Sequence, residues 1–412
     1  MRPAFDGEAE SVAAQILTDI RRRGEPAVFA AISRIEKLVL KPSELRVGDD
    51  EFEAAWRKTP AETRARIQEA HDRVADFARH SMRPDWEMPT PHGGKLGEYF
   101  TPLDRVGVYV PGGTAPLAST VVMTATLAQV AGVREIVACT PGGRDKTVRP
   151  EILCAMKICG VTECYRIGGI QAIGLMAYGM RKIEPVQKIV GPGNAYVTAA
   201  KRLVYGTVAL DLVAGPSEVA VLADDSANPE WVAADLVAQA EHGSGHERAL
   251  LVTTSETLAK KTMDAIRRQV AVRSRRALVA RVAENDGILL VVVPDLDTGI
   301  ELVDMFAPEH FELAVRDPAA YAKKAHHAGA VFAGHWTPES AGDFAAGPSH
   351  VLPTGGAARA FGGLTVEDFR RRTSLVQYAE EDLRDALPII RKFADIEGLD
   401  GHRNAADVRF ER

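Results

Sequence analysis

Val106-Gly-Val-Tyr-Val110 runs straight into Pro-Gly-Gly113, and a short apolar run closed by glycine recurs three times downstream. Glu135-Ile-Val-Ala-Cys139 ends in Thr-Pro-Gly-Gly, Glu163-Cys-Tyr-Arg-Ile167 in Gly-Gly, and Lys188-Ile-Val190 in Gly-Pro-Gly-Asn194. Helical patterns separate them, near 117–131, after Gly143 and from Ala172. Strands alternating with helices specify a parallel sheet covered on both faces. In such a sheet a ligand lies beyond the carboxyl ends of the strands. Those ends here are Pro111-Gly-Gly113, Gly168-Gly169 and Gly191-Pro-Gly-Asn194. Glycine lets the backbone turn sharply and approach a ligand closely, and a helix start just after it favours phosphate. The GxGxxG fingerprint is absent, so a dinucleotide site would be a variant, Rossmann-like one. Tight turns alone would need no ligand; three on one sheet edge favour a binding crevice.

A second α/β unit opens at Glu218-Val-Ala-Val-Leu222, with later strands beginning near Leu250, at Gly287–Val293 and at Ala330–Phe332. Upstream, residues 8–35 and 51–85 carry helical periodicity. Near the C-terminus a helix is expected from about Leu383 to Glu397. Arg370-Arg-Arg372, the densest basic run, reads as a solvated helix face.

At 412 residues the chain exceeds one ordinary core, so two or more domains are expected. A net charge of −6 argues against nucleic acid as the main partner. No signal-peptide core and no apolar stretch near about 20 residues is present, which reads as a cytoplasmic protein off the membrane. Cys139, Cys154, Cys159 and Cys164 lack CxxC spacing and read as buried thiols in strands and one helix.

Four polar signatures carry the chemistry: Gln239-Ala-Glu-His242, Glu309-His310, Glu339-Ser-Ala-Gly-Asp343 and Glu397-Gly-Leu-Asp-Gly-His402. Each holds groups that bind a borderline metal or move protons near neutral pH. Asn228 suits a helix N-cap, Pro229 the first turn and Gly243 the stop. Gln239 and His242, three apart, then share a face of the last turn. Taken alone they would be a polar helix end. Glu309-His310 places two proton-transfer groups with different ordinary pKa values in one segment. Asp343 and His350 fall in a stretch from Thr337 to Gly356 dense in Gly, Pro and Ser, which reads as a long functional loop. The remaining histidines, from His71 to His335, read as surface.

Together these motifs resemble the histidinol dehydrogenase family. The resemblance rests on Val108-Tyr-Val-Pro-Gly-Gly-Thr-Ala-Pro-Leu117, Gly168-Gly-Ile-Gln-Ala-Ile173, Gly191-Pro-Gly-Asn-Ala-Tyr196 and Ala214-Gly-Pro-Ser-Glu-Val219. It extends through Gln-Ala-Glu-His242, Pro-Glu-His310, Ser-Ala-Gly-Asp343, Gly347-Pro-Ser-His-Val-Leu-Pro-Thr-Gly355 and Glu397–His402. It covers nearly the whole chain in the family's order. The resemblance implies oxidation of L-histidinol to L-histidine, the last steps of histidine biosynthesis, by two hydride transfers to NAD through histidinaldehyde. It implies zinc held by Gln239, His242, Asp343 and His402, and His310 as the base. Glu309 would activate water, and Tyr109, Gln171 and Asn194 would contact NAD. Ser217, His350 and Glu397 would meet substrate, together with His310 and the zinc ligands. It implies a homodimer in which Glu397 and His402 complete the partner's site.

The matching layout is two Rossmann-like parallel-sheet domains and a small helical C-terminal segment exchanged in the dimer. Residues 1–108 and 219–364 would form a discontinuous α/β domain carrying most metal and catalytic residues. Residues 109–218 would be the inserted NAD-binding domain, and 365–412 the dimerisation segment. The chain begins where the family's short N-terminal segment ends, so a dimer brace would be missing. Three other readings remain: a zinc alcohol dehydrogenase of the same fold acting on another substrate such as sulfopropanediol, a hydrolase using Glu309 on zinc-bound water, and a non-catalytic binding protein.

Overall fold

The computed structural model describes residues 6–112, 117–213 and 215–411. Gly113 of the first glycine turn, residues 114–116 of the motif that follows, Ala214 and residues 1–5 lie outside the described residues. The chain forms two compact units. The larger comprises residues 1–81 and 103–369, the smaller residues 82–102 and 370–412.

The larger unit contains two five-stranded sheets of the same topology. In the first, the order is Glu163–Arg166, Glu135–Thr140, Arg105–Tyr109, Lys188–Val190, Ala209–Leu210, all parallel. In the second it is Ile288–Val292, Arg248–Thr253, Glu218–Ala223, His310–Ala314, Ala330–Ala333, again all parallel. Numbered within each sheet, both read 3-2-1-4-5, the order of a Rossmann sheet without its sixth strand. The central strands are buried along their whole length, which is why their sequences are unbroken apolar runs without alternation. The Ala118–Ala131 helix is likewise apolar all round and almost wholly buried.

Helices pad both sheets. Asp6 caps the Gly7–Arg23 helix by accepting from the amides of Glu8 and Ala9. Its apolar face, Ala9, Ala13, Ile16, Leu17 and Ile20, joins the core around the first sheet. Gly174 permits this approach, since a Cβ there would stand 2.8 Å from Ile20 Cδ1. The two faces of the second sheet bury separate clusters, one around Val219, Leu236 and Leu251, the other around Leu222, Phe311 and Leu313. All four cysteines are free and buried, in two strands, one helix and the turn ending that helix.

The smaller unit corrects the helical reading of the C-terminal segment. It opens with the Arg370–Gln377 strand, antiparallel to Lys95–Pro102, which also pairs with Trp86–Pro89. Arg370–Arg372 therefore sit on a strand and not on a helix face. Three consecutive arginines followed by Thr-Ser carry no period of either kind, and charge on an edge strand discourages further pairing. Asp382, near the start of the Glu380–Glu397 helix, accepts from Thr90 Oγ1 (2.7 Å) and from the amides of His92, Gly94 and Ala379 (3.0, 3.1 and 3.0 Å). One carboxylate thus ties the hairpin turn to the helix start. The Asp400–Asp407 helix follows.

Two buried polar pairs set loops at the strand ends. Lys201 Nζ donates to Gly191 O at 2.9 Å and pairs with Asp211, which also accepts from the Gly191 amide at 2.7 Å. Both side chains are at most 4% exposed. Gly191 has φ +113°, and a Cβ there would meet Tyr109 O at 2.2 Å, so only glycine fits where the first and fourth strands diverge. On the second sheet, Asp235 of the Pro229–Ala240 helix hydrogen-bonds Glu312. Glu312 also accepts from the Glu339 amide at 2.7 Å. Burial raises both carboxyls, so the folded chain keeps a proton that the unfolded chain releases.

Lys201→Met is expected to cost about 3–5 kcal/mol, because it leaves a buried carboxylate uncompensated. The midpoint of urea unfolding measures this, and a loss under about 1 kcal/mol would show that the pair is not required. Stability from the Asp235–Glu312 proton is complete below the ordinary Asp range and is lost as pH rises through the raised folded value. Asp235→Asn, whose amide donates at every pH, should therefore be about 1–2 kcal/mol more stable than the native chain near pH 8 and no more stable near pH 4. Thermal melts at both values test this, and an equal difference at both would overturn it.

Candidate active site and metal centre

The amino ends of the second sheet's central strands hold the polar cluster. His310 is the first residue of the His310–Ala314 strand, and Glu218 the first of its parallel neighbour. His310 Nδ1 lies 3.1 Å from Glu218 O, and the complementary bond runs from the Glu218 amide to Glu309 Oε2 at 3.0 Å. A carbonyl only accepts, so Nδ1 carries the proton and Nε2 keeps its lone pair. That Nε2 is buried and has no hydrogen-bond partner, with Asp343 Oδ1 at 3.8 Å. Burial lowers the His310 pKa to about 4, against the pull of Asp343, so the ring is neutral at physiological pH. Burial raises Glu309 well above the ordinary carboxyl range, opposed by bonds from the Glu218 amide and Ser217.

The segment read as a long loop contains a short helix, Glu339–Phe344. Pro338 stands at its start, and the Glu312 carboxylate receives its Glu339 amide. Glu339 and Asp343 consequently share one face, one turn apart. Beyond the helix, Ser349 Oγ donates to Met123 O at 2.9 Å, which anchors the turn carrying His350. His350 Nδ1 lies 3.2 Å from Asp343 O and 3.9 Å from Asp343 Oδ1. Burial lowers its pKa.

From the other side comes the end of the Pro229–Ala240 helix, capped by Asn228 with Pro229 in its first turn. Gln239 is wholly buried. His242 Nδ1 lies 3.1 Å from Gln239 O and 3.4 Å from Gln239 Nε2. One ligand atom each from His242, Glu339 and Asp343 lies within 4.8 Å of the others. In this arrangement the Gln239 side-chain oxygen faces the Glu339 carboxylate. Turned end for end, its nitrogen donates to both Glu339 oxygens at 3.0 and 3.2 Å. Two acceptors facing each other repel unless a proton or cation lies between them. An imidazole, two carboxylates and an amide oxygen are a donor set for a borderline divalent ion. Glu339 was legible in the sequence only as one end of the Glu339–Asp343 signature. Burial raises its pKa, with Asp343, Glu312 and Glu309 adding to the effect.

The structure thus brings Gln239, His242, Glu309, His310, Asp343 and His350 together, with Ser217 hydrogen-bonded to Glu309. Glu397, the last residue of its helix, and His402 lie exposed in the smaller unit. Tyr109, Gln171 and Asn194 lie at the carboxyl ends of the first sheet. Tyr109 Oη accepts from the Gly169 amide at 3.0 Å. Gln171 is wholly buried in the first turn of the Gly169–Tyr178 helix. Asn194 caps the Ala195–Val204 helix by accepting from the Val197 amide at 3.1 Å.

Comparison with known proteins shows the family. The family model described as histidinol dehydrogenase matches residues 2–410. The chain is 42% identical over 407 residues to the histidinol dehydrogenase of Heliobacterium mobile, covering 99% of this chain and 95% of that one. It is 43% identical over 403 residues to that of Gloeobacter violaceus, covering 98% and 90%. A crystal structure of histidinol dehydrogenase from Elizabethkingia anophelis superposes with a TM-score of 0.93 at 35% identity, covering 97% of this chain and 92% of that one. A probable aldehyde dehydrogenase from Listeria monocytogenes shares the fold alone, with a TM-score of 0.51 at 14% identity. The chain belongs to the histidinol dehydrogenase family of oxidoreductases.

Proposed function

We propose that the chain oxidises L-histidinol to L-histidine in two successive hydride transfers to NAD, through histidinaldehyde, at a zinc site in a cytoplasmic homodimer. The observation that carries this reading is the buried, neutral His310 with its Nε2 lone pair unpartnered and its Nδ1–H committed to Glu218 O. A base so held accepts a proton at one atom only. As hydride leaves the alcohol carbon, Nε2 takes the hydroxyl proton, so two electrons and two protons leave in each oxidation.

Glu309 is placed for the second oxidation. Its carboxyl is held by the Glu218 amide and Ser217. Burial makes the carboxylate a stronger base than an exposed one, suited to accept the proton of water that adds to the aldehyde. Gln239, His242 and Asp343 would hold zinc together with His402, with Glu339 as a further acceptor beside them. The ion would supply positive charge and orient the imidazole and amino nitrogens of the substrate. Ser217, His350 and Glu397 would contact substrate, and Tyr109, Gln171 and Asn194 the dinucleotide. Glu397 and His402 would reach the site of the neighbouring subunit.

Limiting L-histidinol with excess NAD should yield about two NADH per substrate, lost on chelation and restored by zinc; one NADH per substrate would overturn the double oxidation. His310→Gln should lower kcat about 10²–10⁴-fold with zinc content unchanged, and native-like turnover would remove His310 from the proton path. Deleting the residues after about Asp395 should abolish zinc binding as well as turnover. A truncated protein that keeps its zinc would exclude His402 as a ligand.

A further inference from the structure

The N-terminal helices end in an irregular turn that reaches the first sheet. After the Glu25–Ala31 helix, residues Ile32–Glu36 widen into one π-turn, which stops at Lys37 in the left-handed region (φ 56°). Single π-turns often occur at functional sites. This one places Glu36 at the carboxyl ends of the first sheet. Glu36 Oε1 accepts from Gln171 Nε2 at 2.7 Å, and Oε2 accepts from the Gly168 amide at 3.2 Å. Burial raises the carboxyl's pKa, and the two donated bonds oppose that rise.

Gly168 and Gly169 begin a ten-residue helix at a strand end, where Rossmann-like sheets present amides to phosphate. Here both amides are already satisfied by the chain itself, Gly168 by Glu36 and Gly169 by Tyr109 Oη. Gln171 is wholly buried, its nitrogen is committed to Glu36, and its Oε1 has no hydrogen-bond partner. That oxygen lies against Gly169, 3.2 Å from where a Cβ would stand. The local set is therefore a carboxylate and an amide oxygen, which only accept, with the Tyr109 hydroxyl as the one group among these side chains that still has a proton to donate. Such a set takes hydroxyl or amide donors and repels an anion.

We infer that Glu36 is a positioning and specificity-determining residue for the dinucleotide. It fills the Gly168 amide with its own carboxylate, holds the buried Gln171 in place behind Gly169, and by its charge selects a hydroxyl-bearing cofactor over one carrying an extra phosphate. No motif marked this residue in the sequence. The inference rests on the dinucleotide reading proposed above.

The test is titration calorimetry of NAD, NADP and inorganic phosphate into the zinc-loaded native protein and into Glu36→Ala and Glu36→Gln, with KM and kcat for NAD measured alongside. Losing a charge-assisted hydrogen-bond acceptor should weaken NAD binding roughly tenfold or more. Its KM should rise in step while kcat stays within about threefold. The preference for NAD over NADP should fall by roughly tenfold. Phosphate, silent against the native protein, should compete with NAD in Glu36→Ala. Glu36→Gln, which keeps the shape and loses the charge, should shift the preference in the same direction, and it decides the matter if the alanine variant does not fold. A native protein that binds NAD, with variants matching it in NAD affinity, NADP preference and phosphate response, would overturn the role of Glu36 and leave the function intact. A native protein that binds no NAD would overturn the function itself.

Discussion

The hydrogen bond from His310 Nδ1 to Glu218 O, at the first residues of two adjacent parallel strands, is the constraint on which the site depends. It fixes the ring's tautomer through backbone that the sheet itself holds in register, with His310 opposite Val219. The return bond from the Glu218 amide to Glu309 uses the same peptide neighbourhood, so the Glu309 carboxyl and the His310 ring are both referenced to one strand end. Placement on strand ends and not on a free loop keeps the geometry precise, since a small misplacement at a reacting centre costs rate steeply.

The two sheets share a topology, yet their notable features lie at opposite edges. The first sheet carries its glycine turns at the carboxyl ends, where doubly wound sheets ordinarily place ligands. Its amino edge is closed: Arg105, Glu135 and Glu163, each the first residue of its strand, form a clasp with Arg105 Nη1 at 2.5 Å from Glu135 and Nη2 at 3.0 Å from Glu163. The corresponding edge of the second sheet carries Glu218, Arg248 and His310, the first residues of three adjacent strands.

Much of this was legible in the chain. Unbroken apolar runs closed by glycine located the parallel strands, because burial on both faces removes alternation and only glycine tolerates a turn such as that at Gly191. Both ends of the Pro229–Ala240 helix were readable from Asn228, Pro229 and Gly243 through capping chemistry alone. The Glu339–Phe344 helix was not, since its Ser, Gly and Pro content suits a loop and its start is stabilised by Glu312, 27 residues away in sequence. Glu36 was silent for the same reason: its partners, Gly168 and Gln171, are more than 130 residues distant. Arg370–Arg372 misled because charge without period says nothing about backbone, and the pairing that makes it a strand comes from residues 95–102.

The remaining physical problem is the concentration of acid. Glu309, Glu312 and Glu339 are buried, with Asp343 half-buried against His310 and His350. Burial pushes all three glutamates upward. Desolvated carboxyls in one place can hold protons, share them or surround a cation. Glu312 takes the second course, through Asp235. Glu309 has the Glu218 amide and Ser217 as donors. Glu339 lies against the Gln239 amide, beside the Asp343 carboxylate and His242, where either the amide nitrogen or a positive ion can meet its charge. The same crowding of acid that makes that cluster costly to fold is what would give it affinity for a cation, since an ion there would offset the repulsion between Glu339 and Asp343.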